Sequence, residues 1–90
     1  MRTTFITKQF KKDYKKSAKS GRNIQALDIL MLQLIQEEVL EASYQDHALG
    51  GEWKNSRDCH IQGDFVLIYT LDSKNGIYFE RVGSHSELFG

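Results

Sequence analysis

The chain has 90 residues, of which 40% are hydrophobic and 27% charged, a composition typical of a folded protein and unlike that of a disordered one. Its apolar runs all fall short of the ~20 residues needed to span a bilayer, so the sequence predicts no membrane segment. Charge is unevenly distributed: residues 1–22 carry +7 and the rest −7, and a basic end of this kind favours a phosphate-bearing partner.

The chain begins with a predicted strand and helix. Residues 2–6 are β-branched and aromatic, which indicates a short strand. Thr7 can then cap a helix that runs to about Ser20, and Gly21 is suited to end it. This first helix is predicted to be apolar inside, through Phe10, Tyr14 and Ala18, and basic outside. The candidate phosphate-binding lysines are Lys11, Lys12, Lys15, Lys16 and Lys19.

A second helix is predicted from Asn23 to about Leu40, because apolar residues recur at the spacing of a buried stripe. The stripe contains Ile24, Leu27, Met31, Leu34 and Ile35. Its last turn is acidic, with Glu37, Glu38 and Glu41, where the helix dipole prefers cations. If the two helices form a hairpin, these acids lie near Lys8, Lys11 and Lys12, and part of the basic face is paired rather than free.

The remainder predicts three strands, at residues 56–61, 64–72 and 77–84. Gln62-Gly63 joins the first two, and Asn75-Gly76 is a hairpin signal between the last two. The predicted fold is α+β: an N-terminal strand, a two-helix hairpin and an antiparallel three-strand meander, with the helices packed on one face of the sheet. Residues 1–90 are predicted to form a single domain.

Titratable residues cluster in "RDCHIQGDF", residues 57–65. Since side chains alternate along a strand, Asp58 and His60 point to one face, and Arg57 and Cys59 point to the other. Asp64 follows the turn, within reach of the Asp58 side. Two further histidines, His47 and His85, are expected in loops beside strand ends. Taken singly, each of these residues also has a plain structural interpretation.

Two segments carry a long ordered pattern, "YQDHALGGEWKNSRDCHIQGDFVLIY" and "FERVGSHSELFG". The order D-H, G-x-W, R-D-x-H, D-F, R-x-G-[ST]-H and L-F-G resembles the YafQ branch of the RelE superfamily, bacterial type II toxins that cleave messenger RNA on the ribosome. The resemblance covers essentially the whole chain. It implies a functional set of His47, Asp58, His60, Asp64, His85 and Phe89, with Arg57 and Arg81 as adjacent polar candidates.

The implied chemistry is RNA cleavage by the ribose 2′-OH, which requires a base to take its proton and an acid to protonate the leaving 5′-oxygen. Histidine, with a reference pKa of about 6.5, can fill either role near neutral pH. The resemblance implies His47 or His60 as the base and His85 as the acid, with Asp58 and Asp64 as the carboxylates that position them. Arg81 would counter the charge of the phosphate, and Arg57 would be a neighbouring polar contact. Phe89 would stack on a nucleotide.

The resemblance further implies a cognate antitoxin protein, mRNA and the ribosome as partners, with no membrane, metal or cofactor involved. A cytoplasmic location is expected, because the first residues lack the apolar run of a signal peptide and Cys59 is the only cysteine. Two alternatives on the same fold are a ParE-like gyrase inhibitor and an RNA-binding module without catalysis. A histidine metal site is less favoured, because no two histidines occur at ligand spacing.

Overall fold

The computed structural model describes residues 1–51 and 55–90, and Trp53 of the G-x-W pattern lies outside these ranges. In chain order the elements are β1 (Thr3–Ile6), α1 (Lys8–Lys19), α2 (Ile24–Ile35), a 3₁₀ turn (Ala42–Tyr44), β2 (His47–Ala48), β3 (Ser56–Gln62), β4 (Phe65–Leu71), β5 (Gly76–Ser84) and α3 (His85–Phe89). The predicted α+β class is confirmed. No helix within the described ranges is long and apolar enough to cross a membrane.

The strands form one sheet in the order β1-β5-β4-β3-β2. The predicted meander, β3 to β5, is its centre; β1 adds to one edge, parallel to β5, and the two-residue β2 adds to the other, antiparallel to β3. The turn before β5 forms at the predicted Asn75-Gly76 signal, with Asn75 at φ 62°. A Cβ at position 76 would lie 2.6 Å from an Asp72 carboxylate oxygen, so any larger residue there would displace the Asp72 side chain.

Both long helices cover one face of the sheet, as predicted, and this helix-covered face holds the main core. Phe10 is the buried anchor of α1, and Leu27, Leu30 and Leu34 form the buried stripe of α2. They pack on the sheet residues Cys59, Phe65, Leu67, Tyr69, Ile77, Phe79 and Val82. Burying each large apolar side chain contributes about 1.5–3 kcal/mol, so most of the hydrophobic stabilisation lies on this face.

The opposite side of the sheet, the outer face, carries a smaller cluster. Val66 and Ile68 of β4 are buried against Leu88 of α3, with Leu49 and Phe89 packed at the margin. The expectation that His47 and His85 stand in loops was wrong. His47 belongs to β2, which pairs with β3, and His85 is the first residue of α3.

The second helix ends five residues earlier than predicted, at Ile35. Glu37 adopts a left-handed conformation (φ 62°), its N–H donates to the Leu34 carbonyl, and the Glu38 N–H donates to that of Gln33. This is a Schellman ending, which closes the helix without glycine. The Glu37 carboxylate accepts a hydrogen bond from the Met1 amino group at 3.1 Å, so it does not pair with a lysine of α1 as the hairpin model expected.

The inner side of α1 also differs from the predicted apolar arc. Ala18 is exposed, whereas Asp13 is only 7% exposed. Its carboxylate accepts hydrogen bonds from the Arg81 Nε at 2.7 Å and from the Val82 N–H at 3.2 Å. A buried carboxylate needs such partners, and periodicity alone does not reveal where they lie.

Candidate active site

The candidate active site is built around Asp58, at the middle of the outer face. Asp58 lies in register between His47 of β2 and Ile68 of β4 and is 2% exposed. Its Oδ1 lies 3.5 Å from the His60 Nε2, within ion-pair range, but has no hydrogen-bond partner among the described residues. The contact therefore has the distance of an ion pair without the alignment of a hydrogen bond.

Burial raises the pKa of Asp58, and the three histidines oppose that rise, His60 most, then His47 and His85. All three imidazoles therefore act electrostatically on one buried carboxylate. An unpaired buried carboxylate is costly to ionise, and a nearby imidazolium reduces that cost. The pKa of Asp58 therefore reflects both its burial and the three neighbouring imidazoles.

His47 is exposed, and its ring centre is 6.3 Å from that of His60. Its Nδ1 lies 2.7 Å from the Gln45 carbonyl oxygen. A carbonyl can only accept, so Nδ1 carries the proton in this contact. The other nitrogen, Nε2, is then unprotonated in the neutral ring and has a lone pair able to accept a proton. His60 differs, because its Nε2 lies 3.5 Å from the Asp58 carboxylate.

His85 and Phe89 project from α3. Their ring centres are 4.7 Å apart, and the backbone N–H of His85 donates to the Asp64 carbonyl at 3.0 Å. The start of the helix is fixed by a capping box between Ser84 and Glu87. Hydrogen bonds from Lys16 and from Ser84 lower the pKa of Glu87 to about 2, Lys16 contributing most, so this carboxylate holds the helix as an anion.

The structure brings together four of the predicted residues, His47, Asp58, His60 and His85, with Phe89 beside His85. The carboxylate of Asp64 does not bond any of these histidines. It accepts a hydrogen bond from the Arg22 Nη1 at 2.7 Å, which lowers the pKa of Asp64. Asp64 was expected to lie within reach of Asp58 and His60. Its side chain instead forms an ion pair with Arg22, in the loop between α1 and α2.

The two predicted arginines are held by carboxylates. Arg57 lies on the helix-covered side, as strand parity predicted, and its Nε donates to Asp46 at 3.1 Å. Tyr69 donates to the same Asp46 oxygen at 2.8 Å. Arg81 makes two hydrogen bonds to Asp13, at 2.7 and 3.3 Å. Both guanidinium groups are bound by carboxylates, although Arg81 lies in register with Ile68 of the outer face.

The predicted lysines are exposed along α1. Lys16 forms an ion pair with Glu87 of α3 at 2.7 Å, and both side chains remain well exposed. This pair connects the basic helix to the element that carries His85 and Phe89. The lysines of α1 and the histidine cluster lie on different sides of the sheet. They are connected by α3, which carries His85 and whose Glu87 pairs with Lys16.

Sequence reasoning missed α3 and the role of Arg22. The sequence does contain a signal for α3, because Ser84-His85-Ser86-Glu87 matches the capping-box pattern. Arg22 has no such signal, since its partner is 42 positions away in sequence. Within residues 1–51 and 55–90, no three His, Cys, Asp or Glu side chains are arranged to hold a metal ion.

Comparison with protein families matches residues 2–90 to the family described as the bacterial toxin of type II toxin-antitoxin systems, YafQ. A curated relative, the mRNA interferase toxin YafQ of Escherichia coli strain K12, is 43% identical over 83 residues, 91% of this chain and 89% of the relative.

Solved structures agree on the fold. The E. coli DinJ-YafQ complex contains a chain with a TM-score of 0.92 and 40% identity, with complete coverage of both chains. A metal-bound toxin from Helicobacter pylori has a TM-score of 0.90 and 38% identity, covering 99% of this chain and 100% of that one.

Proposed function

The chain belongs to the YafQ family of bacterial type II toxins, and from that premise we propose that it is an endoribonuclease that cleaves mRNA on the ribosome and so inhibits translation. One observation carries the proposal: the buried carboxylate of Asp58 lies 3.5 Å from the His60 Nε2 and in register with His47, whose ring centre is 6.3 Å from that of His60. A gyrase inhibitor or a simple RNA-binding module has no need of such a set. General acid–base chemistry uses it directly.

The proposed reaction is attack by the ribose 2′-OH on the adjacent phosphate. A base removes the hydroxyl proton, the new O–P bond closes a 2′,3′-cyclic phosphate, and an acid protonates the 5′-oxygen as the old bond breaks. No step in this scheme requires a metal ion. Catalysis depends on positioned proton donors and acceptors and on cations near the phosphate.

We assign the base to His47. Its Nδ1–H is bound to the Gln45 carbonyl, which leaves the Nε2 lone pair exposed. His60 is less suited to be the base, because its Nε2 lies 3.5 Å from the buried Asp58 carboxylate instead of in solvent. As a donor beside the phosphate it would stabilise the extra negative charge that the phosphate acquires in the transition state.

His85 is assigned as the acid, and Phe89 as a stacking partner for a neighbouring base. The two rings are already in contact, with centres 4.7 Å apart, so a base stacked on Phe89 would bring its phosphate close to His85. Asp64 supports His85 through its backbone carbonyl, which accepts the His85 N–H. The lysines of α1 are proposed to contact ribosomal RNA.

We further propose a small cognate antitoxin as the protein partner, since the E. coli relative is seen in a complex with DinJ. Its extended or helical segment would cover the histidine cluster on the outer face and extend past α3 to the lysines of α1. A cytoplasmic location follows from the proposed action on ribosomes. Expression alone should arrest growth, and co-expression of the antitoxin should restore it; normal growth with abundant folded toxin would contradict this.

The test is to incubate the purified protein with translating ribosomes and to map new RNA ends. We expect cleavage to persist in excess EDTA and to leave a 2′,3′-cyclic or 3′-phosphate and a 5′-hydroxyl. Lys74→Gln, which alters an exposed lysine in the β4–β5 turn, serves as a control with unchanged cleavage. Loss of cleavage in EDTA would contradict the metal-independent scheme, and absence of any cleavage would contradict the ribonuclease assignment.

A further inference from the structure

Arg81 is the arginine predicted to counter the phosphate charge and Arg57 is a neighbouring polar candidate, and in the structure both are bound by carboxylates. Arg57 is bound to Asp46 on the helix-covered side, and Arg81 makes two hydrogen bonds to Asp13. Arg22 is different. It lies in the loop between α1 and α2, at the end of the sheet where β3 turns into β4.

The Arg22 guanidinium is held in a defined orientation. Its Nη1 donates to the Asp64 Oδ1 at 2.7 Å, and its Cζ lies 5.4 Å from the centre of the Phe65 ring. The backbone N–H of Arg22 is fixed to the Ser17 carbonyl at the end of α1. An arginine bound by a carboxylate and resting on an aromatic ring loses much of its conformational freedom before any ligand arrives.

Asp64 connects Arg22 to the catalytic helix. The side chain of Asp64 binds Arg22, and its carbonyl accepts the N–H of His85 at 3.0 Å. The next residue, Phe65, pairs in register with Ser84, the N-cap of α3. Asp64 therefore contacts both Arg22 and the backbone of His85, the proposed general acid. A displacement of Asp64 would move both of them.

A purely structural role does not account well for this pair. The side chain of Arg22 is 31% exposed and that of Asp64 is 61% exposed, and ion pairs so accessible to water contribute little to stability. Among the described residues, Asp64 is the one side-chain acceptor for Arg22, so the other guanidinium N–H groups have no side-chain partner. The parallel N–H donors of a planar guanidinium match the spacing of two phosphate oxygens.

We propose that Arg22 binds the RNA phosphate next to the cleavage point and that Asp64 orients its guanidinium, a role that rests on the proposed ribonuclease function. In this proposal the phosphate binds at the end of the candidate active site that contains His85. Because a flanking phosphate keeps its charge throughout the reaction, Arg22 binds the ground state and the transition state alike. It therefore acts on substrate affinity more than on the chemical step.

The first test compares Arg22→Gln and Arg22→Lys with the control Lys74→Gln, which removes one exposed cation remote from α3. Affinity for mRNA-programmed ribosomes should fall about 10-fold or more in Arg22→Gln, since a hydrogen bond to a charged group is lost. The slope of log affinity against log salt should shrink by about 0.7–1. Arg22→Lys should recover part of the affinity, and the single-turnover rate at saturation should change little.

A double-mutant cycle with Asp64→Asn separates direct from indirect action. If Arg22 touches the phosphate, Arg22→Gln still weakens binding and flattens the salt slope when Asp64→Asn is present. If Arg22 only positions Asp64, the second substitution has no further effect, and the proposal is overturned. Wild-type affinity in Arg22→Gln, with a change only in thermal stability, would overturn it as well.

Failure of this proposal is distinguishable from failure of the ribonuclease function. Binding and its salt slope are measured without cleavage, so Arg22 is tested even if no RNA is cut. Normal cleavage with an unaffected Arg22→Gln variant would remove this proposal alone. Absence of cleavage in the wild-type protein would remove the ribonuclease assignment, whatever the binding data show.

Discussion

Replacing Asp58 by Asn should make the protein more stable and less active. The Asp58 carboxylate is 2% exposed, and its Oδ1 has no hydrogen-bond partner among the described residues. Burial raises its pKa, opposed by the three histidines. A carboxyl whose folded-state pKa lies above its unfolded value stabilises the fold below the unfolded pKa, and that stability is lost as pH rises through the folded pKa.

The size of the effect follows from the unpaired oxygen. Leaving a buried polar group unsatisfied costs about 1–3 kcal/mol, more for a charged one, and Asn keeps the size of Asp while removing the charge. We expect Asp58→Asn to gain about 1–2 kcal/mol at pH 8, a rise in Tm of roughly 5–10 °C for a chain of this length. The gain should shrink as the pH falls toward the ordinary carboxyl pKa of about 3.9, and it should vanish only well below that pH, where Asp58 is protonated in both states.

The assay is thermal unfolding of both proteins between pH 4 and pH 8. Asp72→Asn is the matched control with the opposite sign, because hydrogen bonds from the Gly76 and Lys74 backbone lower the pKa of Asp72 and its ionised form is the stabilising one. The rate of RNA cleavage should decrease in Asp58→Asn, since the carboxylate beside His60 is replaced by a neutral amide. A variant equally or less stable than wild type at pH 8, or a gain unchanged at pH 4, would refute the reasoning.

Three other substitutions test separate parts of the structure. His85→Ala should reduce single-turnover cleavage by roughly 10²–10⁴-fold with nearly unchanged ribosome binding, because a positioned acid acts on the chemical step; a normal rate would exclude it as the acid. Changing Lys11, Lys12 and Lys15 to Gln together should weaken ribosome binding and flatten its salt dependence without lowering Tm, and an unchanged slope would mean that this face is only solvated. Asp13→Asn should lower the free energy of unfolding by about 3 kcal/mol in a denaturant titration, because Arg81 loses its charged partner; an effect near zero would contradict the buried pair.

Local patterns predicted the elements whose signals are short-range. Thr7 caps the first helix as predicted, the second helix begins directly after Asn23, whose side chain accepts a backbone N–H, and Asn75-Gly76 forms the expected turn. Strand alternation correctly separated Asp58 from Cys59, which is fully buried in the helix-covered core. These features depend on neighbours within a few positions, so one sequence is enough to identify them.

The missed features depend on partners far along the chain. Asp13 is buried because Arg81 lies across from it, 68 positions away, and Arg22 is fixed by Asp64, 42 positions away. The early end of α2 depends on a left-handed Glu37, a conformation that sequence patterns assign to glycine or asparagine. The site residues themselves came from the resemblance to a family, because no spacing rule brings His47, His60 and His85 together.

The most direct measurement is the fate of a substrate in which the ribose of the cleaved nucleotide lacks its 2′-hydroxyl. Ribosomes are programmed with this mRNA and with its all-ribose counterpart, and binding and cleavage of each are followed with the wild-type protein. The deoxy substrate should bind with equal affinity and remain whole, because the nucleophile is absent, while the all-ribose mRNA is cut in excess EDTA. Cleavage of the deoxy substrate at the normal rate would contradict the histidine mechanism.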